Sequence, residues 1–462
     1  MGKKTVNDLG KDPIGSLLFR MALPSVVAQL VNALYNIIDR VYIGHLEGMG
    51  DLALAGLGVC YPVIMFVSAL SALVGMGGGS RAVVRMGEGN DREANAILGG
   101  CVTLLLALSV VITVVCQLVR EPMLLLFGAT ENTIGYASDY LEIYLLGTVF
   151  ALISLGLNSF ITAQGFSTVS MRTTLIGTVV NLVLDPIFIY GLGMGVRGAA
   201  LATVIAQGTS AFWVLRFLTG RQTKLRIQKK YLGVDTKVMA PVIALGISPF
   251  VMRSTESLVN IAFNSSLKAY GGDPAVGAMT ICHSVMHMFS LVELGIGYGA
   301  QPIIGYNYGS GDFGRARKAI RLLLISGFAV STTGWLLVHI IPGFFVGLYN
   351  DEPALTQTAV WALQVYSAGS FMLGIQNPCQ QTFLALGQAK VSLFLSVLRK
   401  IIVLIPLILL LPGLMDDRLL AVFLAEPATD ILATAVTAAL FFWKVPKIFK
   451  AREKLLAAQA KP

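Results

Sequence analysis

The sequence predicts an all-α polytopic membrane protein. Of its 462 residues, 55% are hydrophobic and only 13% are charged, and the mean hydropathy is +0.74. Apolar runs of about 20 residues, the length that crosses a bilayer, recur along the whole chain. A soluble domain of this length carries more charge, so the composition excludes a soluble globular protein.

Twelve of these runs are predicted to be transmembrane helices. In the first half they are 16–43, 52–77, 95–119, 136–160, 170–190 and 198–217. In the second half they are 241–267, 275–300, 320–344, 356–380, 391–411 and 419–443. The chain is thereby divided into an amino-terminal six-helix lobe (1–217), a basic cytoplasmic linker (218–240), a carboxyl-terminal six-helix lobe (241–443) and a basic cytoplasmic tail (444–462).

The basic residues predict the orientation of these helices. Of the 34 lysines and arginines, 28 fall on one side of the predicted spans and five on the other, with Arg253 inside a span. Lys390, Arg399 and Lys400 are counted with the majority. Because short cytoplasmic loops are enriched in lysine and arginine, the split predicts a cell (inner) membrane protein with both termini in the cytoplasm. It also explains the net charge of +9 without nucleic-acid binding.

The two halves of the chain resemble each other. The matching segments are 30–36 with 258–264, 87–91 with 309–313, and 165–170 with 387–392. The last two pairs share one offset of 222 residues. Six spans per half is an even number, so the copies point the same way across the membrane. Parallel repeats of this kind are typical of two-lobed transporters.

A few polar residues lie inside these apolar runs. Asp39 lies six residues before His45, Asp185 six before Gly191 and Thr203 six after Arg197, where the three spans meet the outer surface. Each is therefore about 9 Å deep in a regular helix. Asn181 precedes Asp185 by four residues, so the two share a helix face. Carboxylates inside spans are rare and mark ion or substrate paths. Gathered oxygens suit a monovalent cation or a proton, and one of two neighbouring carboxyls is expected to hold a proton near neutral pH.

Each of these acids also has a structural interpretation. Asp39, next to Arg40, is alternatively a solvated residue at a helix end. Asp185, before Pro186, is alternatively a cap at a helix break.

Other polar residues in the spans have less specific interpretations. His283 and His287 share a helix face and are candidate metal ligands, but no third ligand is evident and core histidines are favoured. Glu293, Glu426 and Asp430 either extend a polar path or pair with neighbours. The five cysteines are isolated and indicate neither disulfides nor a zinc site.

The polar residues of the first half carry a family resemblance. Pro24 and Asp39 in the first span, Asn181-xxx-Asp185-Pro186 in the fifth and Ala199-xxx-Thr203 in the sixth resemble the multidrug and toxic compound extrusion (MATE) family, over nearly the whole chain. The resemblance implies a V-shaped pair of six-helix lobes that alternate in access. It also implies a sodium or proton site, whose ligands are Asp39, Asn181, Asp185 and Thr203, with the Ala199 carbonyl as a further candidate.

The same resemblance assigns roles to residues outside the cation site. Pro24 is expected to let the first helix bend. Tyr35, Tyr140 and Asn158 match positions that line the amino-terminal cavity. Glu256 matches an acid that some branches of the family use for cation or substrate binding, although Arg253, three residues earlier, is a candidate to neutralise it.

The second half lacks the acidic pair. Opposite Asp39 the repeat offers Asn264 or Leu267, and opposite Asp185 it offers Leu407. Cation coupling is therefore predicted to reside in the amino-terminal lobe.

We expect an antiporter, driven by H⁺ or Na⁺, that exports amphiphilic and often cationic small organic compounds. It is expected to be a monomer in the lipid bilayer, without a cofactor and without enzymatic activity. The alternative is a flippase for lipids or lipid-linked oligosaccharides, disfavoured because only Arg253 is counted as an intramembrane base. A membrane-embedded enzyme is disfavoured because the sequence contains no HExxH motif, acidic metal motif or serine nucleophile elbow. A passive channel is disfavoured because only the first half carries the acidic pair. The sequence leaves the coupling ion and the substrate open.

Overall fold

The computed structural model describes residues 7–46, 49–349 and 353–459. Over these ranges the chain consists of helices joined by turns, which confirms the all-α class. Residues 1–6 and 460–462, the ends of the predicted amino-terminal lobe and tail, lie outside the described residues.

Sixteen α-helices occur in the described ranges. Those of the first half are α1 Ile14–Gly44, α2 Gly50–Gly87, α3 Asp91–Leu118, α4 Arg120–Leu126, α5 Ile134–Leu146, α6 Thr148–Ala163, α7 Ser167–Pro186 and α8 Gly195–Thr219. Those of the second half are α9 Thr236–Ser310, α10 Phe313–Ile340, α11 Pro342–Gly347, α12 Pro353–Tyr366, α13 Leu373–Ala385, α14 Ala389–Val397, α15 Ile405–Leu410 and α16 Arg418–Gln459. Two π-helical segments, Ile187–Gly191 and Leu398–Leu404, extend α7 and join α14 to α15.

The described helices account for twelve spans. Nine helical stretches are long and apolar enough to cross a bilayer, and two bent pairs, α5 with α6 (58°) and α12 with α13 (45°), each form one more. The 75 residues of α9 would be about 112 Å long as one helix, far beyond the bilayer thickness. Gly272 breaks it, with φ 65° and ψ −164°, so α9 supplies two spans and the count reaches twelve.

The chain folds into two compact units. Unit 1 comprises Val27–Arg253 with the stretch before Gly10, and unit 2 comprises Gly10–Val26 and the residues from Ser254 onwards. The sequence places the division in 218–240, whereas here the chain up to Arg253 belongs to unit 1. Helix α1 contributes its beginning to unit 2 and the rest to unit 1. Pro24 lies inside α1, two residues before Val26, the last residue of α1 that belongs to unit 2.

Small residues let α7 and α8 pack closely in unit 1. A Cβ at Gly177 would fall 2.4 Å from Ser210 Oγ, and one at Gly198 would fall 2.8 Å from the Phe188 carbonyl. Small residues at an interface allow two membrane helices to approach. This packing brings the polar side chains of α7 next to those of α8.

Arg399 and Lys400 depart from the predicted orientation pattern. Both lie within the helical stretch Ala389–Gly413, in the π-helical segment. Arg399 is ten residues from the start of that stretch, about 15 Å along a regular helix. The prediction that Arg253 is the only base inside the spans is therefore wrong. It assigned Arg399 and Lys400 to the cytoplasmic side, whereas both side chains pair with carboxylates of neighbouring helices.

Candidate functional site

The fold of unit 1 brings the two acids of the sequence pattern together. Asp39 lies on α1 and Asp185 near the end of α7, and their carboxyl groups are close enough to interact directly. The exposed fraction is 8% for Asp39 and 0% for Asp185. The interpretation of Asp39 as a solvated residue at a helix end is therefore wrong. Asp185 does lie at a helix break, but its side chain belongs to this cluster.

Asn181 and Thr203 complete the cluster. Asn181 Nδ2 donates to Asp185 Oδ1 at 3.2 Å and to Thr203 Oγ1 at 3.5 Å, and both side chains are buried. The predicted ligand set therefore lies in one place. Ala199 is buried one turn before Thr203 on α8, and the role of its carbonyl as a ligand stays a prediction.

Two of the predicted cavity residues reach the same cluster. The Tyr35 hydroxyl lies 3.5 Å from Thr203 Oγ1, and the Tyr140 hydroxyl lies near the same group. Tyr140 stacks on Tyr144, with ring centroids 6.0 Å apart and 16° between planes. Tyr144 in turn contacts Gln207. Sequence reasoning missed these last two residues, although each lies four positions after a member of the cluster.

The segment that follows α7 packs against α1 beside the cluster. After Asp185 and Pro186 the chain continues as a π-helical turn, where the Tyr190 hydroxyl donates to the Tyr42 carbonyl at 2.5 Å. The two rings pack edge to face at 6.4 Å. This contact joins the last turn of α1, one turn after Asp39, to the segment after Asp185. The negative end of the α7 dipole also lies at Asp185, which favours a cation there.

The cluster is acidic and has no base paired with it in the described ranges. Asp39 Oδ1, Asp185 Oδ2 and Asn181 Oδ1 are buried acceptor oxygens without a hydrogen-bond partner. The adjacent Arg40 is exposed and lies over the Tyr61 ring at 5.7 Å. Buried acceptors of this kind are costly unless something donates to them or binds them. Oxygens gathered in this way fit a proton or a hard monovalent cation.

The other sequence candidates lie apart from this cluster. Asn158 Nδ2 donates to the Ser170 carbonyl at 3.3 Å, about 22 Å along α7 from Asp185. Glu256 accepts a hydrogen bond from Lys400 and has 57% side-chain exposure. The expected partner, Arg253, instead donates to Ser68 Oγ at 2.5 Å. The cavity roles of Asn158 and Glu256 stay predictions.

The two histidines do not form part of a metal centre. No group of three or more His, Cys, Asp or Glu side chains suited to a metal occurs in the described ranges. The His283 ring packs against Phe263 at 6.1 Å and Tyr366 at 5.5 Å. The core interpretation is therefore the better one.

Unit 2 contains a second buried polar cluster, built around Arg399. This side chain forms ion pairs with Glu426 and Asp430, each at 2.8 Å. Glu293 lies nearby on α9 and accepts hydrogen bonds from Ser331 and from Asn377, the latter at 2.6 Å. The sequence singled out the three acids but not Arg399, which pairs with two of them. The interpretation that they pair with neighbours is the one the structure bears out.

Comparison with known proteins identifies the family. The MatE family model matches residues 24–187 and 250–410, well over half of the chain. The chain belongs to the MATE family. It is therefore a multi-pass membrane transporter and not an enzyme, as the sequence predicts. The matched residues include Pro24, Asp39, Asn181 and Asp185.

Individual MATE proteins resemble this one over most of its length. The solved MATE multidrug transporter DinF-BH, whose structure holds a bound ligand, is 33% identical, with a TM-score of 0.87 and coverage of 97% of this chain and 99% of that one. The multidrug export protein MepA of Staphylococcus aureus (strain MRSA252) is 23% identical over 404 residues, 87% of this chain and 88% of its own. A MATE protein solved in a bent conformation is 21% identical with a TM-score of 0.91, covering 98% of this chain and all of that one, and shares the fold.

Proposed function

We propose that this MATE protein is a cation-coupled antiporter that exports amphiphilic, often cationic organic compounds. The similarity to proteins named multidrug transporter and multidrug export protein supports this substrate class. The observation that carries the coupling is the contact between Asp39 and Asp185, with buried oxygens and no base paired with them among the described residues. The protein acts as a monomer in the cell membrane, with both termini in the cytoplasm.

The acidic cluster binds the coupling ion. Two carboxyl groups in contact in apolar surroundings cannot both be ionised comfortably, so the pair holds a proton or an added cation. Asn181 and Thr203 supply further oxygen. Na⁺ and H⁺ therefore compete for one site, and an organic substrate is released when the ion occupies it.

Alternating access requires the ion to favour one conformation. A ligand shifts a two-state equilibrium only through different affinities for the two states. The ion joins α1 to α7 through Asp39 and Asp185, so any movement of α1 relative to α7 changes its affinity. Pro24 supplies the hinge, because proline removes one backbone hydrogen bond from the helix. The hinge position also lies next to the change of unit along α1.

The flippase alternative is not favoured. Two of the relatives, MepA and DinF-BH, are named as a multidrug export protein and a multidrug transporter. Two bases in the apolar helical stretch Ala389–Gly413 of unit 2 are also already paired with carboxylates, Arg399 with Glu426 and Asp430, and Lys400 with Glu256. They are therefore poorly placed to receive lipid phosphates.

The proposal is tested by dye efflux from proteoliposomes with proton and sodium gradients imposed separately. Ethidium, a fluorescent organic cation, serves as the probe. Wild type is expected to export it under at least one gradient. Asp39→Asn and Asp185→Asn are each expected to abolish gradient-driven export, because they remove the carboxyl that exchanges the ion.

The matched control is Asp139→Asn, which removes an acid of the same unit that forms an exposed pair with Arg197 at 3.3 Å. This variant should export like wild type. Thermal unfolding of all three variants checks that they remain folded. Wild-type export by Asp39→Asn or Asp185→Asn under any gradient that drives export by the wild type would refute the coupling site.

A further inference from the structure

The segment that joins α8 to α9, residues 220–235, is strongly basic. It carries one acid, Asp235, and five bases: Arg221, Lys224, Arg226, Lys229 and Lys230. All five are exposed apart from Arg226, which is half-buried. The transport cycle described above uses none of them.

This segment is fixed to unit 1 rather than extended into solvent. Four hydrogen bonds hold it, from Thr223 Oγ1 (2.6 Å) and Leu225 N (2.9 Å) to Gln164 Oε1, from Arg226 N to Asn95 Oδ1 (2.7 Å), and from Gly233 N to Thr103 Oγ1 (3.0 Å). The acceptor of the first two bonds, Gln164, is itself buried. The bases are therefore presented on a fixed surface.

The contacts with α3 show how the segment runs relative to the membrane. It meets α3 at Asn95, then at Gly99, where an added Cβ would lie 2.3 Å from the Tyr231 carbonyl, and then at Thr103. Asn95 and Thr103 are about 12 Å apart along the helix. The apolar run of α3 starts at residue 96. The segment therefore starts beside the polar end of α3 and runs along the apolar part of that helix.

The side chains of the segment change from basic to apolar along the same direction. The bases come first, and Lys230 Nζ stacks over the Tyr231 ring at 4.6 Å. Two exposed apolar side chains follow, Leu232 at 47% and Val234 at 51%. Bases at head-group level, an aromatic at the interface and apolar side chains beyond it are the arrangement of an interfacial membrane anchor.

The neighbouring α2–α3 turn does little to neutralise these bases. Two of its acids, Glu88 and Glu93, are paired with Arg85 at 2.5 Å and 2.8 Å. The positive charge of this face therefore comes mainly from residues 220–235.

We propose that residues 220–235 form a binding surface for anionic phospholipids of the adjacent leaflet. Lys224, Lys229 and Lys230 contact the head-group phosphates, and Leu232 and Val234 insert at the level of the first acyl carbons. Anionic lipids attract basic segments next to a membrane. A soluble phosphate would not use the apolar pair.

The experiment places a fluorophore at Leu232→Cys, in a background where half-buried Cys116 is replaced by Ser, in the full chain reconstituted into nanodiscs. Quenching is measured with doxyl-labelled phosphatidylglycerol and with doxyl-labelled phosphatidylcholine at equal density. We expect phosphatidylglycerol to quench several-fold more strongly. The triple variant Lys224→Gln, Lys229→Gln, Lys230→Gln should lose this preference, at least about tenfold in lipid affinity for three bases at the surface.

The matched control removes the same charge from the tail, at exposed Lys447, Lys450 and Lys454, and should keep the preference. Equal quenching by the two lipids in the parent protein, or no quenching by either, would overturn the proposal. So would an equal loss in both triple variants. Loss of the preference on adding inorganic phosphate at constant ionic strength would instead reveal a soluble-anion site, and would also overturn it.

Discussion

Unit 1 and unit 2 differ in whether their buried carboxylates are paired with a base. In unit 1, Asp39 and Asp185 contact each other with no paired base in the described ranges. In unit 2, Glu426 and Asp430 share Arg399. An acidic pair without a base is neutralised by a proton or an added cation, whereas a pair with a buried arginine is neutralised within the protein. This difference is what the proposed function requires, with the coupling ion bound in unit 1 and a fixed ion cluster in unit 2.

The internal repeat shows which residues occupy the equivalent positions of the two units. With the offset of 222 residues, Arg399 corresponds to Gly177, and Asp430 corresponds to Gly208. In unit 1, Gly177 lets α7 pack directly against Ser210 of α8. In unit 2, the same position carries a long base that reaches acids on α16. The same position of the repeat therefore allows close helix packing in unit 1 and carries the base of an ion cluster in unit 2.

The largest effect expected from this comparison is on stability. Arg399→Met leaves Glu426 and Asp430 buried without their base, so we expect a loss of about 3–5 kcal/mol in unfolding free energy. Thermal and denaturant unfolding in detergent measure it. Arg197→Met breaks an exposed pair and should cost less than about 1 kcal/mol. Equal stability of the two variants would contradict the structural role of the Arg399 cluster.

A smaller effect is expected when all charges of that cluster are removed together. The triple variant Arg399→Met, Glu426→Gln, Asp430→Asn leaves none of the three charges unpaired. Replacing a buried ion cluster with neutral groups is often close to neutral, so stability should return to within about 2 kcal/mol of wild type. Ethidium export by this variant should also survive. Loss of export in the folded triple variant would show that unit 2 takes part in coupling.

The smallest effect is expected at Lys400. The Lys400 side chain is only 12% exposed, but that of its partner Glu256 is 57% exposed. Water therefore solvates the carboxylate that the substitution leaves behind, and ion pairs open to water contribute about 0–1 kcal/mol. Lys400→Met should therefore change the unfolding free energy by less than about 1 kcal/mol, with ethidium export near wild type. A severe export defect with normal stability would instead assign Glu256 or Lys400 to the substrate path.

Much of the unit 1 cluster was accessible from the sequence. Equal depth placed Asp39, Asp185 and Thr203 at one level, and the spacing of four placed Asn181 beside Asp185. Depth does not fix which faces of two helices meet, however. The contact between α1 and α7 depends on packing, and so does the involvement of the further side chains, Tyr144 and Gln207. These parts needed the tertiary structure.

The Arg399 cluster was less accessible for a physical reason. The sequence counts Arg399 with the cytoplasmic bases, because long basic side chains can extend from within a span to the interface. Its acids, Glu426 and Asp430, are 27 and 31 residues later in the chain. Only the packing of two helices reveals that the arginine points to these acids. The π-helical turn that carries Arg399 has no clear sequence signal either.

The central claim is that the Asp39–Asp185 pair holds an exchangeable cation. Its most direct test is proton release from weakly buffered, detergent-solubilised protein when Na⁺ or ethidium is added, followed with a pH indicator. The wild type and Asp139→Asn should release about one proton per chain, and Asp39→Asn and Asp185→Asn should release none. Undiminished release from Asp185→Asn would contradict the account.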